Sequence, residues 1–220
     1  MKRDMVYRDI KGLISEHRRR RPEIKRRLKE FSSLHKGKDE DIFSELCFCI
    51  LTANANALLC NDAIKELKGL GLLLKGRESQ IRPRLRGRVR FHNKKANFMV
   101  RARKLFSKGM CLDVKSMIDV RNILATRDWL VDNVKGFGYK EASHFLRNIG
   151  LGKDIAILDR HVLKNLKKYG VINKIPESTG NRKTYMDIEN KMREFSKKAG
   201  IPLDEMDLLF WSIQTGFVFK

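Results

Sequence analysis

The residues best suited to chemistry in this chain are a lysine just past a Gly-x-Gly turn and an aspartate further along. Gly136-Phe137-Gly138-Tyr139-Lys140-Glu141-Ala142 reads as a turn that opens a helix, with Ala142, Phe145, Leu146 and Ile149 along one side. Two glycines two apart permit positive φ and a close backbone approach. The free N–H groups that start the following helix make an anion site that fits a DNA phosphate. A tight helix–helix corner would use the same residues. Lys140 falls in the first helical turn, where the dipole disfavours an ammonium and so favours the neutral, nucleophilic amine. Such an amine can form a Schiff base. Asp159 sits between the apolar run Ile155-Ala156-Ile157-Leu158 and a helix that begins at Arg160. An aspartate there is ordinarily an N-cap. Close to a lysine, it could also orient the amine or stabilise positive charge on a reacting sugar.

The elements that must position these groups are helical. Ile42, Phe43, Leu46, Cys47, Ile50 and Leu51 make one broad apolar face, with Asp39 or Asp41 as its cap. Leu58, Leu59, Ala63, Ile64 and Leu67 predict the next helix. Residues 96–106 predict another, with Phe98, Met99, Ala102, Leu105 and Phe106 inward. A further helix is expected over 114–124, and Thr126 is expected to cap a short one holding Trp129, Leu130 and Val134. Residues 160–168, 184–198 and 204–215 complete the set, and 174–183 is the most linker-like stretch. No alternating strand pattern of useful length and no repeat is present, so the class is all-α.

Lys and Arg number 48 against 26 Asp and Glu, a formal net charge of +22. A field this positive attracts polyanions, of which nucleic acid is the commonest. Basic residues cluster at Arg18 to Arg21 with Lys25, Arg26 and Arg27, and again from Arg82 to Lys95, where Pro83 and Gly87 argue for a loop. Cys47, Cys49, Cys60 and Cys111 match no zinc or iron–sulfur spacing and read as plain thiols. No stretch approaches the roughly 18 apolar residues of a membrane helix. The start, Met1-Lys2-Arg3-Asp4-Met5, does not resemble a secretory signal. A soluble, cytoplasmic, nucleoid-associated protein is expected.

Several separated segments together resemble one family. The Gly136–Ala142 turn and Leu158-Asp159-Arg160-His161-Val162 are similar to the signature of the helix-hairpin-helix DNA glycosylase superfamily. Phe48-Cys49-Ile50-Leu51-Thr52-Ala53-Asn54, Arg90-Phe91, Lys140 to Asn148, and Asp207-Leu208 with Trp211 narrow the resemblance to the type-2 8-oxoguanine DNA glycosylase/AP lyases of archaea and some bacteria. It runs from about residue 40 onward. The four-cysteine cluster of other superfamily members is missing, as is the β-domain of the longer eukaryotic-type enzymes.

The resemblance implies a mechanism and a set of roles. Lys140 attacks C1′ of the damaged nucleoside, displaces the base and holds the opened sugar as an imine, after which β-elimination cuts the strand. Asp159 helps Lys140 into its reactive form and stabilises oxocarbenium character. Asn54 fills the gap left by a flipped base, while Thr52 and Asn56 simply finish a helix end. Trp211 and Phe91 stack on the flipped base, Lys220 reads the oxidised guanine, and Gly136 and Gly138 grip the phosphate. No redox or organic cofactor is implied; a monovalent cation on the hairpin carbonyls is the one ion considered. The expected architecture is two helical subdomains flanking a cleft, one formed by 1–40 with 151–220 and the other by 41–150, with the helix–hairpin–helix at about 126–150. The partner is double-stranded DNA containing oxidised guanine, met by a monomer, with no membrane involved. Two alternatives stay open: a same-fold glycosylase for another damaged or mismatched base, and a non-catalytic helix–hairpin–helix DNA-binding module.

Overall fold

The computed structural model describes residues 7–220; Met1-Lys2-Arg3-Asp4-Met5 lies outside them. The elements are α1 (Ile10–His35), α2 (Asp39–Thr52), α3 (Ala57–Gly69), α4 (Leu72–Lys75), α5 (Glu78–Leu85), α6 (His92–Leu105), β1 (Ser107–Lys108), β2 (Cys111–Leu112), a 3-10 turn (Lys115–Met117), α7 (Ile123–Asn133), α8 (Tyr139–Asn148), α9 (Arg160–Lys168), α10 (Arg182–Ala199) and α11 (Leu203–Thr215). Among the described residues, the one departure from an all-α class is the small antiparallel pair of β1 and β2.

Apolar residues form two clusters. One gathers Ile42 to Leu51, the inner faces of α3 and α6, Leu130, and Ala142 to Ile149. The other gathers α1 through Leu13, Ile24 and Phe31, then Tyr139, Leu158, the inner face of α9, and α10 and α11. α1 packs along α11, and α2 along α8. α8 therefore contributes to both: Phe145 and Leu146 face the first cluster, and Tyr139 at its start belongs to the second.

Several sequence expectations are corrected. The basic stretch from Arg82 is not all loop. α5 runs through Pro83, because buried Ile81 and Leu85 anchor it and a helix this short loses only one bond to the missing N–H. Lys94 and Lys95 are already inside α6. The helix expected over 114–124 is only the 3-10 turn, tied to α2 by the Lys115 N–H donating to Asp39 Oδ1 at 2.9 Å. Asn122, not Thr126, caps α7; Thr126 lies inside it and its hydroxyl bonds the main chain of Asp119. Lys38 is the N-cap of α2, so Asp39 and Asp41 sit in its first turn, favourable to the dipole without capping it. Leu58 and Leu59 are exposed, and Cys60, Ala63, Ile64 and Leu67 form the inner face of α3.

Candidate active site

The hairpin between α7 and α8 uses its two glycines differently. Gly136 has φ +92°, and a Cβ there would lie 2.6 Å from Phe98 Cδ2. Gly138 is extended, at φ −111°, and is the N-cap of α8; its N–H donates to Glu141 Oε2 at 3.2 Å. Only Gly136 therefore needs glycine's conformational freedom. Val134 O accepts from the Phe137 N–H, which closes the turn. Lys140 follows in the first turn of α8, mostly buried, with Nζ 3.7 Å from Glu141 Oε1.

Asp159 is the N-cap of α9. Its Oδ1 accepts from the His161 and Val162 N–H groups, both at 2.8 Å. Oδ2 makes no hydrogen bond among the described residues. Lys140 and Asp159 line the same cleft, of about 950 Å³, together with Asn54, Trp211 and Lys220. Exposed Arg88, Arg90 and Arg160 line it too, which suits an incoming phosphate backbone.

Asn54 is exposed, at φ +53°, in the turn between α2 and α3. Thr52 and Asn56 are accounted for locally: the Thr52 hydroxyl donates to Cys49 O, and Asn56 caps α3. Trp211 stands edge-on to Phe217 and is tilted against Phe219. Lys220 donates to Glu45 Oε2 at 2.9 Å, with Nζ 4.2 Å from the Phe48 ring centre. Phe91 is not brought to the cleft. It is the exposed N-cap of α6, at φ +58°, covered by its neighbour Arg90.

Four further residues of the site carried no role in the sequence reading. His144, Arg147 and Asp207 are buried, line the cleft and hold polar atoms without partners among the described residues: both His144 ring nitrogens, Arg147 Nε and Nη1, and Asp207 Oδ1. Unpartnered buried polar groups are rare and call for an explanation. Burial, reinforced by Lys140, Arg147 and Lys220, keeps His144 neutral, well below the usual histidine range. Burial also pushes the Asp207 carboxyl up to about 6, against the pull of Arg147, whose Nη2 lies 3.3 Å away. Lys95, the fourth, is buried beneath the Asn54 turn and donates to Leu51 O and Ala53 O at 2.7 and 2.6 Å. The only hint in the sequence is a lysine on the inner stripe of α6, four residues before Met99. The thiols are inert where buried: burial raises Cys47, Cys49 and Cys60. Among the described residues there is no cluster of His, Cys, Asp and Glu able to hold a metal, and no helix long and apolar enough to cross a membrane.

A helical chain that presents a lysine from a helix–hairpin–helix, and an N-cap aspartate, to one arginine-lined cleft has the architecture of a helix-hairpin-helix DNA glycosylase. Comparison with known proteins narrows this class. The 8-oxoguanine DNA glycosylase profile matches residues 24–201, and the chain belongs to that family. The 8-oxoguanine DNA glycosylase/AP lyase of Fusobacterium nucleatum is 40% identical over 222 residues, covering 100% of both chains. The crystal structure of the 8-oxoguanine DNA glycosylase of Thermotoga maritima is similar with a TM-score of 0.85 at 37% identity, over 96% of this chain and 98% of that one. The Methanocaldococcus jannaschii 8-oxoguanine glycosylase/lyase in complex with a 15-mer DNA containing 8-oxoguanine gives 0.84 at 36%, over 95% and 100%.

Proposed function

We propose that this chain excises 8-oxoguanine from double-stranded DNA and then nicks the abasic strand by β-elimination. The observation that carries the reading is the convergence of Lys140 and Asp159, from two different helix N-termini, on one cleft whose buried wall holds unpaired polar groups. The Lys140 amine attacks C1′ as the base departs. The new C–N bond replaces the glycosidic bond, the leaving base takes up a proton, and opening of the sugar ring gives an imine on Nζ. Loss of the C2′ proton then expels the 3′ phosphate. Asp159 Oδ2, free of capping duty, accepts the ammonium proton or faces positive charge on the sugar, while Oδ1 holds α9 in place.

Trp211 offers the flipped base a stacking face. His144, Arg147 and Asp207 offer donors and acceptors that stay unpaired until a base enters, and Lys220, its amine held by Glu45, lines the same cleft. Asn54 enters the vacated stack on a turn stiffened by Lys95. Phe91 and Arg90, exposed beside the cleft, are better placed to touch the duplex than the base. A phosphate sits at the start of α8. A monovalent cation on the hairpin carbonyls is compatible with the Phe137 N–H bond to Val134 O, which leaves that oxygen a second lone pair. The two apolar clusters support a division into a terminal half (1–40 with 151–220) and a middle half (41–150) about the cleft. The chain acts as a cytoplasmic monomer on nucleoid DNA.

Borohydride reduction of the imine tests this reading. Incubation with an 8-oxoguanine duplex should leave a covalent protein–DNA adduct that Lys140→Gln abolishes, while DNA binding persists. Binding without an adduct in the unaltered chain would leave only a DNA-binding module, and adducts on other lesions in preference to 8-oxoguanine would reassign the substrate.

A further inference from the structure

A buried polar network ends on the segment just before Asp159 and on α8 at the residues flanking Lys140. The Arg127 guanidinium on α7, without solvent exposure, donates from Nη1 to Glu189 Oε1 at 2.8 Å and from Nη2 to Oε2 at 3.0 Å. Nη1 also reaches Ser143 Oγ at 3.1 Å. The rings of Tyr139 and Tyr185 lie 5.9 and 5.6 Å from the guanidinium carbon. Glu189 Oε1 accepts the Ala156 N–H at 2.7 Å. The Tyr185 hydroxyl donates to Ala156 O at 2.7 Å and accepts the Leu158 N–H at 3.2 Å.

Residues 155–158 are buried yet belong to no helix or sheet. Such a segment must place its main-chain groups somewhere, and here Tyr185 and Glu189 take three of them. The network thus grips the residues immediately before Asp159 with one hand. With the other it grips α8 at Tyr139 and Ser143, on either side of Lys140. A buried ion pair is weak support for stability and better suited to fixing one arrangement.

We infer that Tyr185 and Glu189, clamped by Arg127, are positioning residues that set Asp159 against Lys140. The inference rests on the assignment of that pair. A misplacement of about 1 Å between reacting groups costs on the order of a hundredfold in rate, so loosening the segment should slow chemistry more than binding.

Tyr185→Phe keeps the ring and removes only the hydroxyl. Three quantities are measured: the single-turnover rate of 8-oxoguanine excision, the affinity for a duplex carrying a tetrahydrofuran abasic analogue, and the end point of borohydride trapping. Met192→Ala, a fully buried site on the same helix outside the network, is the comparator. The expected result for Tyr185→Phe is a rate lower by about ten- to a hundredfold, affinity within about twofold, and a full trapping end point. Met192→Ala, the less stable of the two, should excise at close to the normal rate. A normal rate in Tyr185→Phe, or an equal slowing in Met192→Ala at the same interval below its own melting temperature, overturns the inference. Should Tyr185→Phe not fold, Ser143→Ala loosens the same clamp on α8 and is read in the same way. Failure of the underlying assignment looks different: Lys140→Gln would then still trap.

Discussion

The charge of Glu189 can be removed with almost no change of shape, and the cost of Glu189→Gln follows from its surroundings. Arg127 has no exposed side-chain surface and Glu189 only 2%. In the variant one amide oxygen can still accept the Ala156 N–H, but the amide NH2 then faces the guanidinium, donor against donor. Breaking a buried pair from one side costs about 3–5 kcal/mol, because the remaining charge stays desolvated. A chain of this size has on the order of 5–15 kcal/mol in total, and each kcal/mol moves its melting temperature by about 2–4 °C. The expected fall is therefore on the order of 10 °C, with a matching drop in the urea midpoint. It should be nearly independent of salt, unlike the loss at the exposed Arg182–Asp128 pair, whose guanidinium is 62% exposed. Replacing both partners, as in Arg127→Met with Glu189→Leu, should restore most of the stability. That double variant should nevertheless stay slow, since Ala156 has lost its acceptor. A Glu189→Gln protein that melts within 2 °C or so of the unaltered chain would refute the electrostatic argument. A fast double variant would refute the positioning argument.

Other consequences are as direct. Asp159→Asn retains an oxygen for the His161 and Val162 amides, so unfolding should change little while excision is largely lost; Asp159→Ala should lose excision and also about 1 kcal/mol for the missing cap. DNA affinity should survive both, and undiminished excision in Asp159→Asn would remove this carboxylate from the chemistry. Asp207, raised from 3.8 to about 6, holds its proton more tightly in the folded chain than in the unfolded one. Its contribution is most favourable below about pH 4 and is lost as pH rises through 6, by about 3 kcal/mol in full. Urea midpoints of the unaltered chain relative to Asp207→Asn should therefore decline between pH 4 and 7, and a flat difference would contradict the burial argument. Gly136→Ala meets both the positive φ and the Phe98 ring, so it should cost about 1–3 kcal/mol and weaken duplex binding in an anisotropy titration; an unchanged melting curve would show that the turn yields.

What the sequence revealed and what it concealed divide along physical lines. Local, periodic signals were legible: the apolar faces of α2 and α8, the helix from Arg160, the Gly136 turn, and the cap at Asp159 are written in neighbouring residues. Asn54, Lys140, Asp159, Trp211 and Lys220 came to line one cleft because each motif carries its own local structure, whereas Phe91 did not. What failed was punctuation. Pro83 suggested a break, but burial of Ile81 and Leu85 outweighed one lost bond. Thr126 suggested a cap, but Asn122 lay four residues earlier with the same chemistry. Phe91 suggested a stacking face, but its exposure depends on how the connection from α5 to α6 runs in space. The long-range network was illegible for a related reason. Arg127, Glu189 and Tyr185 look like ordinary members of helices, and nothing local says that a glutamate on α10 will accept a main-chain N–H from residue 156.

Lys140 and Asp159, the pair proposed to react, both sit at helix N-termini facing one arginine-lined cleft. Exposed arginines act on DNA over about a Debye length, roughly 8 Å at physiological salt, and serve chiefly to bring the backbone in. Inside the cleft, orientation matters more than net charge. Lys140 stands in the first turn of α8, and the start of α9 holds the Asp159 side chain by two amide bonds. The two helix starts therefore hold both side chains toward one cleft. Such a pair works together only if the two ends keep a fixed separation, and α8 and α9 are joined by a segment with no helix or strand of its own. A buried charge clamp across α7, α8 and α10 meets that requirement where apolar packing would leave the segment free to slide.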